Sequence, residues 1–256
     1  MAAEPSAWDE SWEEDSDWSE TGAIKKANQV DDWLAIDQDG TVTVFSGKID
    51  SGTGVQTALA QIVAEELDVP IERVQMVMGD TARTPDEGIT AGSTTIRFGG
   101  FALRHASAEA RRALLEMAAN RLDAAPDELV VRDGVISVSH PPTRTITFAE
   151  LMGGKRFKRA ITLQAPLKRS EEYRIVGKPI PRLDLPRKFV GAPSFVHDVR
   201  VPGMLHARVV RPPSSGAELV SIDETSVQDT RVIRHGNFIG VVAEREEQDG
   251  PIEACA

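Results

Sequence analysis

Residues 41–78 read TVTVFSGKIDSGTGVQTALAQIVAEELDVPIERVQMVM, and this stretch decides the fold. TVTV (41–44) alternates hydroxyl and apolar side chains, the period of a half-buried strand, and Phe45-Ser46 continue the strand. Residues 47–54 form a loop bracketed by Gly47 and Gly54. Beyond it Ala58, Leu59, Ile62, Val63, Glu66 and Leu67 recur at helical spacing, which predicts a helix over 55–67 with Gln56, Gln61 and Glu65 on its outer side. Asp68-Val69-Pro70 stops that helix, and VQMVM (74–78) is the next strand. The order is strand, Gly loop, helix, strand.

Upstream, 33–37 and 41–46 flank Asp39-Gly40, a strong hairpin signal because a type I′ turn needs positive φ at both central residues. Downstream, 79–100 (GDTARTPDEGITAGSTTIRFGG) is rich in Gly, Ser and Thr with no long apolar run. A structureless loop of about 20 residues inside a compact domain is either functional or wrongly assigned. A second long helix is expected over 102–122, with Leu103, Ala106, Ala110, Leu114, Met117 and Ala118 on one face. Asp133-Gly134 centres a second hairpin over 129–138, and Thr147 with Glu150 makes a capping box. Residues 164–188 carry Pro166, Pro179, Pro181 and Pro186 among Lys and Arg, and read as an extended spacer. Short strands are expected at 194–199, 204–210, 218–222, 232–233 and 238–242, followed by a polar end.

The fold class is therefore α+β: a mixed sheet with two long helices, then a strand-rich unit with too few strands to close. The expected organisation is an acidic disordered tail over 1–28, an α+β domain over 29–163, a Pro-rich basic connector over 164–188 and a partial domain over 189–256.

The chain has 256 residues and a net charge of −11. Eight acids and no base fall in residues 1–20, where Trp8, Trp12 and Trp18 are interleaved; the other 236 residues hold 32 acids and 29 bases. With no basic stripe to displace counterions, a nucleic-acid partner is disfavoured. The basic cluster Lys155, Arg156, Lys158 and Arg159 reads as a solvated turn. The longest uncharged run is 14 residues, too short for a membrane span. No signal peptide is legible, so a cytoplasmic location is expected. Cys255 is the one cysteine, and the five histidines have no helical metal-pair spacing. No metal site is expected from the residues.

Two stretches promise a ligand seat. Gly52-Thr53-Gly54-Val55-Gln56-Thr57 leads into the first helix, where glycines let backbone N–H groups approach an anion and the helix adds free donors. Thr90-Ala91-Gly92-Ser93-Thr94-Thr95 precedes the second helix and is also rich in uncharged donors. A nucleotide reading rests on Gly52, Gly54 and Asp80, but Thr57 stands where a dinucleotide fingerprint wants Gly or Ala, and no Walker A sequence occurs. Glu65 and Glu66 read as solvated helix charges. No nucleophile–base constellation is visible, so the catalytic residues are unknown.

At this point a resemblance enters. Residues 45–67 (FSGKIDSGTGVQTALAQIVAEEL) resemble the molybdopterin-binding large subunit of the xanthine dehydrogenase and aldehyde oxidase family, most of all its isoquinoline oxidoreductase and nicotinate dehydrogenase branch. Gly79-Asp80-Thr81, Pro85, 90–95 (TAGSTT), 176–186 (VGKPIPRLDLP) and 196–208 (VHDVRVPGMLHAR) are similar to the same family, in consistent order over about 30–245. The resemblance implies a molybdenum–molybdopterin cofactor, hydroxylation of an aldehyde or N-heterocycle, and electron transfer to a separate iron–sulfur small subunit. It also implies cofactor contacts at Gly52, Thr53, Gly54, Thr57, Gly92, Ser93, Thr94 and Thr95. Thr53 stands where the family's loop commonly has Gln. Family chains are several times longer and place their catalytic Glu near the far end, so the chain resembles a truncated or split subunit whose remainder is a further partner. A non-catalytic remnant or assembly module is the alternative reading.

Overall fold

The structure, a computed structural model, describes residues 19–139, 144–192, 195–223, 230–245 and 254–255. Of the acidic disordered tail expected over 1–28, residues 1–18 lie outside them, and 19–28 do not fit the expectation, because they carry a helix over Gly22–Lys26. The chain divides into two units, Met1–Pro186 and Arg187–Ala256.

The first unit begins with a short helix, α1 (Gly22–Lys26). Trp33 follows, fully buried, its indole N–H donating to the Ala27 carbonyl at 2.8 Å. Asp39-Gly40 turns the expected hairpin: β1 (Leu34–Ile36) pairs antiparallel with β2 (Val42–Ser46), Leu34 opposite Val44. Along β2, Val42, Val44 and Ser46 are buried while Thr43 and Phe45 are not, the period-two pattern of the sequence. Helix α2 (Val55–Leu67) carries the chain to β3 (Val74–Met78), which pairs parallel with β2. The sheet order is β1-β2-β3 and the unit is a β–α–β crossover.

The second long helix starts earlier than its apolar spacing suggests. Residues Thr95–Gly100, expected as loop, form one wide π-helical turn that runs directly into α3 (Phe101–Leu122). The glycines explain it. A Cβ on Gly100 would stand 3.0 Å from Ile62 Cδ1, and one on Gly99 only 2.5 Å from the Glu87 carboxylate. Small residues let this turn lie close against α2. Helices α2 and α3 then share a core: Leu59, Val63 and Leu67 meet Leu103, Ala106, Ala110 and Leu114, all fully buried. Each such aliphatic side chain contributes about 1.5–3 kcal/mol by leaving water.

Asp133-Gly134 makes the second hairpin, β4 (Leu129–Arg132) with β5 (Val135–Val138), and β6 (Thr145–Thr147) adds a third antiparallel strand that the sequence reading missed. Thr147 then caps α4 (Phe148–Met152), accepting from Glu150 N while the Glu150 carboxylate accepts from Thr147 N. The residues after α4 are extended, as expected for 164–188, but they do not form a free spacer. Residues 157–184 run as a strap bound to the first unit. The solvated-turn reading of the basic cluster needs the same correction at Arg159, which pairs with Glu109 and Glu116.

A short helix, α5 (Leu185–Phe189), carries the chain out of the first unit. Taken by itself, the second unit has an antiparallel sheet ordered β7-β10-β9, built from β7 (His206–Val210), β9 (Arg231–His235) and β10 (Phe238–Ala243). β8 (Ser221–Ile222) pairs with β11 (Ala254–Cys255). The strand expected over 194–199 is not one: Val196–Asp198 form a 3-10 turn in which Phe195 N donates to the Asp198 carboxylate, and Ser194 lies outside the described residues. With helices and several small mixed and antiparallel sheets, the fold class is α+β.

Candidate functional site

The loops that follow β2 and β3 lie beyond the carboxyl ends of the two parallel strands, where open α/β sheets bind ligands. They are tied together from within. Ser46 Oγ and Gly47 N both donate to one Glu87 carboxylate oxygen, each at 2.6 Å. The buried Lys48 ammonium donates to the carbonyls of Glu87 and Ile89 at 2.6 and 2.8 Å. Ile49 N donates to Thr90 Oγ1 at 3.1 Å. Gly47 is required here, because a Cβ would stand 2.2 Å from the Pro85 carbonyl oxygen. Between these loops lies a cleft of about 510 Å³, lined by Gly47, Ile49, Gly79, Thr84, Pro85 and Ile89 among others. Burial pushes the Glu87 carboxyl above its ordinary value despite Ser46, Gly47 and Lys48, and burial also pulls the Lys48 ammonium down. The other Glu87 oxygen is buried with no partner among the described residues.

The Gly52 loop is built around Asp50. Its carboxylate accepts from Gly52 N at 2.8 Å, Gly54 N at 3.2 Å and Gln56 N at 3.1 Å. Burial opposes that charge, but the three amides hold the carboxyl below its ordinary value, against the repulsion of Asp184. The donors that the sequence offers to an outside anion are thus taken by an internal one. Gly52 and Gly54 have φ of +99° and +81°. Gly52 and Thr53 are exposed, and the space a Gly52 Cβ would fill is open. Thr53 makes no hydrogen bond within the described residues. Thr57 is buried and turned the other way, its Oγ1 accepting from Leu183 N at 2.9 Å.

In the second loop Gly92 and Ser93 are exposed with φ of +61° and +58°. Thr94 is buried and donates to the Ala91 carbonyl, and Thr95 is buried at the start of the π turn. No hydrogen bond or ion pair joins 52–57 directly to 92–95 among the described residues. Their placement at one end of the unit follows from the helices. Gly100 meets Leu59 and Ile62, Arg104 pairs with Glu66, and Arg111 pairs with Asp68. Contacts that advance together mean that α2 and α3 run parallel, so the loops opening them share an end. Asp80, the acid of the nucleotide reading, instead closes its own turn, its carboxylate accepting from Ala82 N.

Glu65 and Glu66 are not solvated, which corrects the sequence reading. Both are buried. One Glu65 oxygen accepts from Arg174 N, Ile175 N and Val176 N at 2.6–3.0 Å, and the other faces Lys168. Glu66 accepts from Arg104 and from Lys168 N. Gln61 donates to the carbonyls of Ile175 and Lys178. Glu65, Gln61 and Thr57, each four residues apart, form a polar stripe along which the strap climbs to the Gly52 loop. There Arg182 donates to the Gly52 carbonyl at 2.7 Å. Lys48, Asp50, Glu87 and Arg182 were missed as parts of the site. Only Asp50 had a local signal, an Asx turn two residues before a glycine.

Among the described residues no group of His, Cys, Asp and Glu is placed to hold a metal ion, and no helix is long and apolar enough to cross a membrane. Comparison with known proteins gives the geometry its family. A nicotinate dehydrogenase subunit of Pseudomonas putida is 45% identical over 228 residues, covering 84% of this chain and 19% of the relative. The beta subunit of isoquinoline 1-oxidoreductase from Brevundimonas diminuta is 29% identical over 243 residues, covering 79% of this chain and 31% of the relative. The crystal structure of quinoline 2-oxidoreductase from Pseudomonas putida 86 matches 46% of this chain and 15% of its own at 30% identity, with a TM-score of 0.42. The chain thus spans less than a third of the length of these relatives. The profile of the molybdopterin cofactor-binding domain matches residues 17–188. The two loops, the helices they open and the strap all fall within that match, and the chain belongs to the molybdopterin cofactor-binding domain family.

Proposed function

We propose that this chain supplies part of the molybdenum–molybdopterin seat of an oxidoreductase that hydroxylates an aldehyde or an N-heterocycle. The observation that carries the reading is the family match over 17–188, within which two donor-bearing loops open parallel helices at one end of the unit.

The residues fit the group in a particular way. Molybdopterin offers a flat heterocycle edged with hydrogen-bonding atoms, and an anionic phosphate. The open face at Gly52, the exposed Thr53 and the exposed Ser93 suit the uncharged edges. They do not suit the phosphate: Asp50 already holds the Gly52, Gly54 and Gln56 amides, and Arg182 is held by Asp184. Thr57, Thr94 and Thr95 are buried and support the loops from behind. Gly54 and Gly92 give the backbone its turns. The cofactor, when bound, supplies the redox chemistry by which water-derived oxygen reaches an electron-poor carbon. The chain's own residues bind and orient it. The base and the phosphate's countercharge then come from another part of the enzyme, either a further stretch of large subunit or a separate chain. An iron–sulfur small subunit is the proposed electron partner and the cytoplasm the proposed location.

The second reading, an assembly module that binds no cofactor, is favoured by Asp50 alone, since an internal carboxylate fills the anion donors. One measurement separates the two. The chain is produced in a host that makes molybdopterin, and released pterin is quantified by fluorescence. Stoichiometric pterin supports the seat, and none supports the module.

A further inference from the structure

We propose that Arg182 is the positioning residue of the Gly52–Gly54 loop: it grips the Gly52 carbonyl and thereby aims the Thr53 N–H at a ligand acceptor. This rests on the cofactor-seat reading above.

The loop is held on two sides. Asp50 takes the N–H groups of Gly52, Gly54 and Gln56. Thr53 N–H is passed over, and with the Thr53 hydroxyl it has no partner among the described residues at the exposed tip. From the strap, Arg182 Nη1 donates to the Gly52 carbonyl at 2.7 Å. The Gly52 carbonyl and the Thr53 N–H belong to one planar trans peptide, so they point in opposite directions. Fixing the carbonyl on the strap side therefore turns the N–H away from the strap.

Arg182 is itself fixed before it acts. Its Nε and Nη2 donate to the two Asp184 oxygens at 2.9 and 2.6 Å, the bidentate fork that only guanidinium makes. Its Cδ and Nε lie 3.5 Å from where a Gly54 Cβ would stand, so the side chain lies across the loop. Leu183 N, the next residue, is pinned to Thr57 in the first turn of α2. The strap thus delivers one oriented donor to one carbonyl. The ligand group that fits the aimed N–H is an uncharged acceptor on the heterocycle's edge: a ring carbonyl or a ring nitrogen.

The test uses the full chain with Arg182→Gln, Arg182→Lys and, as a control elsewhere on the strap, the exposed Arg169→Gln. Amide exchange is measured at Gly52, Gly54 and Gln56 without cofactor. Losing a charged hydrogen bond is expected to speed it about tenfold in Arg182→Gln and less in Arg182→Lys. Arg169→Gln is expected to match wild type. Retained pterin is expected to fall about fivefold or more in Arg182→Gln and to recover in part in Arg182→Lys, whose cation still reaches a carbonyl. Wild-type exchange in a folded Arg182→Gln overturns the proposal. So does unchanged pterin despite faster exchange. Equal pterin loss in both variants would assign the effect to packing and also overturn it. If Arg182→Gln does not fold, Arg182→Lys decides: faster exchange supports the proposal and wild-type exchange overturns it. A wild-type chain without pterin overturns the cofactor-seat reading instead, and exchange alone then judges the grip on Gly52.

Discussion

Glu65 Oε2 lies 2.6 Å from the amide nitrogen of Ile175, with Arg174 N and Val176 N at 2.9 and 3.0 Å beside it. Three successive backbone N–H groups converge on one carboxylate oxygen, an anion nest occupied by the protein's own side chain. The carboxylate is on the middle helix of the crossover and the nest is on the strap, 109–111 residues later. This contact holds the strap in the register that places Arg182 at Gly52. Glu65→Gln keeps an acceptor oxygen but loses the charge, and it leaves Lys168 beside an amide. We expect a loss of about 2 kcal/mol, the scale of a charge-assisted hydrogen bond. Amide exchange at 174–176 checks it, with the exposed Glu72→Gln as control; equal exchange in the two variants would refute it.

Acid should release the strap before it unfolds the sheet. Burial works against the charge on Glu65 and Glu109, yet the amides of 174–176 in one case, and Thr162, Arg159 and Arg112 in the other, hold both carboxyls below their ordinary values. A depressed folded value means stability that is present above the unfolded value, about 4.3, and is lost as pH falls through the folded one. Protection of 159–176 is therefore expected to decline below about pH 4, ahead of protection in β1 and β2. Exchange measured from pH 6 to pH 3 would show simultaneous loss if the idea is wrong.

What the sequence discloses and what it hides divide along the range of the interactions. Asp39-Gly40, Asp133-Gly134, the Thr147–Glu150 cap and the helix over 55–67 are all decided by residues within one turn or one hairpin, and each stands where its signal is. The same local reading sends Glu65 outward, because an acid at a helix position flanking the apolar stripe is ordinarily solvated. Its burial depends on Lys168 and on amides beyond it, which no local pattern announces. The π turn at Thr95–Gly100 was hidden for a related reason: its glycines fit against Ile62 and Glu87, whereas by themselves they signal a loop. In the candidate site the two glycine loops stand out from the sequence by composition, but Glu87 and Arg182, which grip Gly47 and Gly52, lie 40 or more residues from what they grip.

Gly47 lies where the loops after β2 and β3 cross. A methyl group there would overlap the Pro85 carbonyl oxygen, a backbone atom that cannot rotate aside. Gly47→Ala is expected to cost about 2–4 kcal/mol, at the upper end of overpacking effects, and to expose 85–90. Limited proteolysis and urea unfolding of the variant check both consequences. Gly88→Ala, where the added carbon meets no described atom but φ is +65°, reports backbone strain alone, a cost that Gly47, which has no positive φ, does not carry; the loss in Gly47→Ala is therefore steric.

Lys48 and Glu87 form the electrostatic centre of the same crossing, and removing each should act in opposite senses with pH. The Glu87 carboxyl is raised chiefly by burial. A carboxyl whose folded value is raised binds protons more readily in the native state, so stability falls as pH rises from the unfolded value through the folded one. Glu87→Gln, neutral at every pH, should abolish that fall and gain on wild type as pH increases. Lys48→Met removes the nearby cation and leaves the Glu87 and Ile89 carbonyls without their donor. It should destabilise the 85–90 loop by about 1–3 kcal/mol, the cost of leaving buried acceptors unpaired, and steepen the fall with pH. Urea unfolding of the two single variants and the double variant from pH 4 to pH 8 gives the coupling directly. Additive effects at every pH would show that Lys48 fastens the loop through its carbonyls alone, with no contribution from the Glu87 charge.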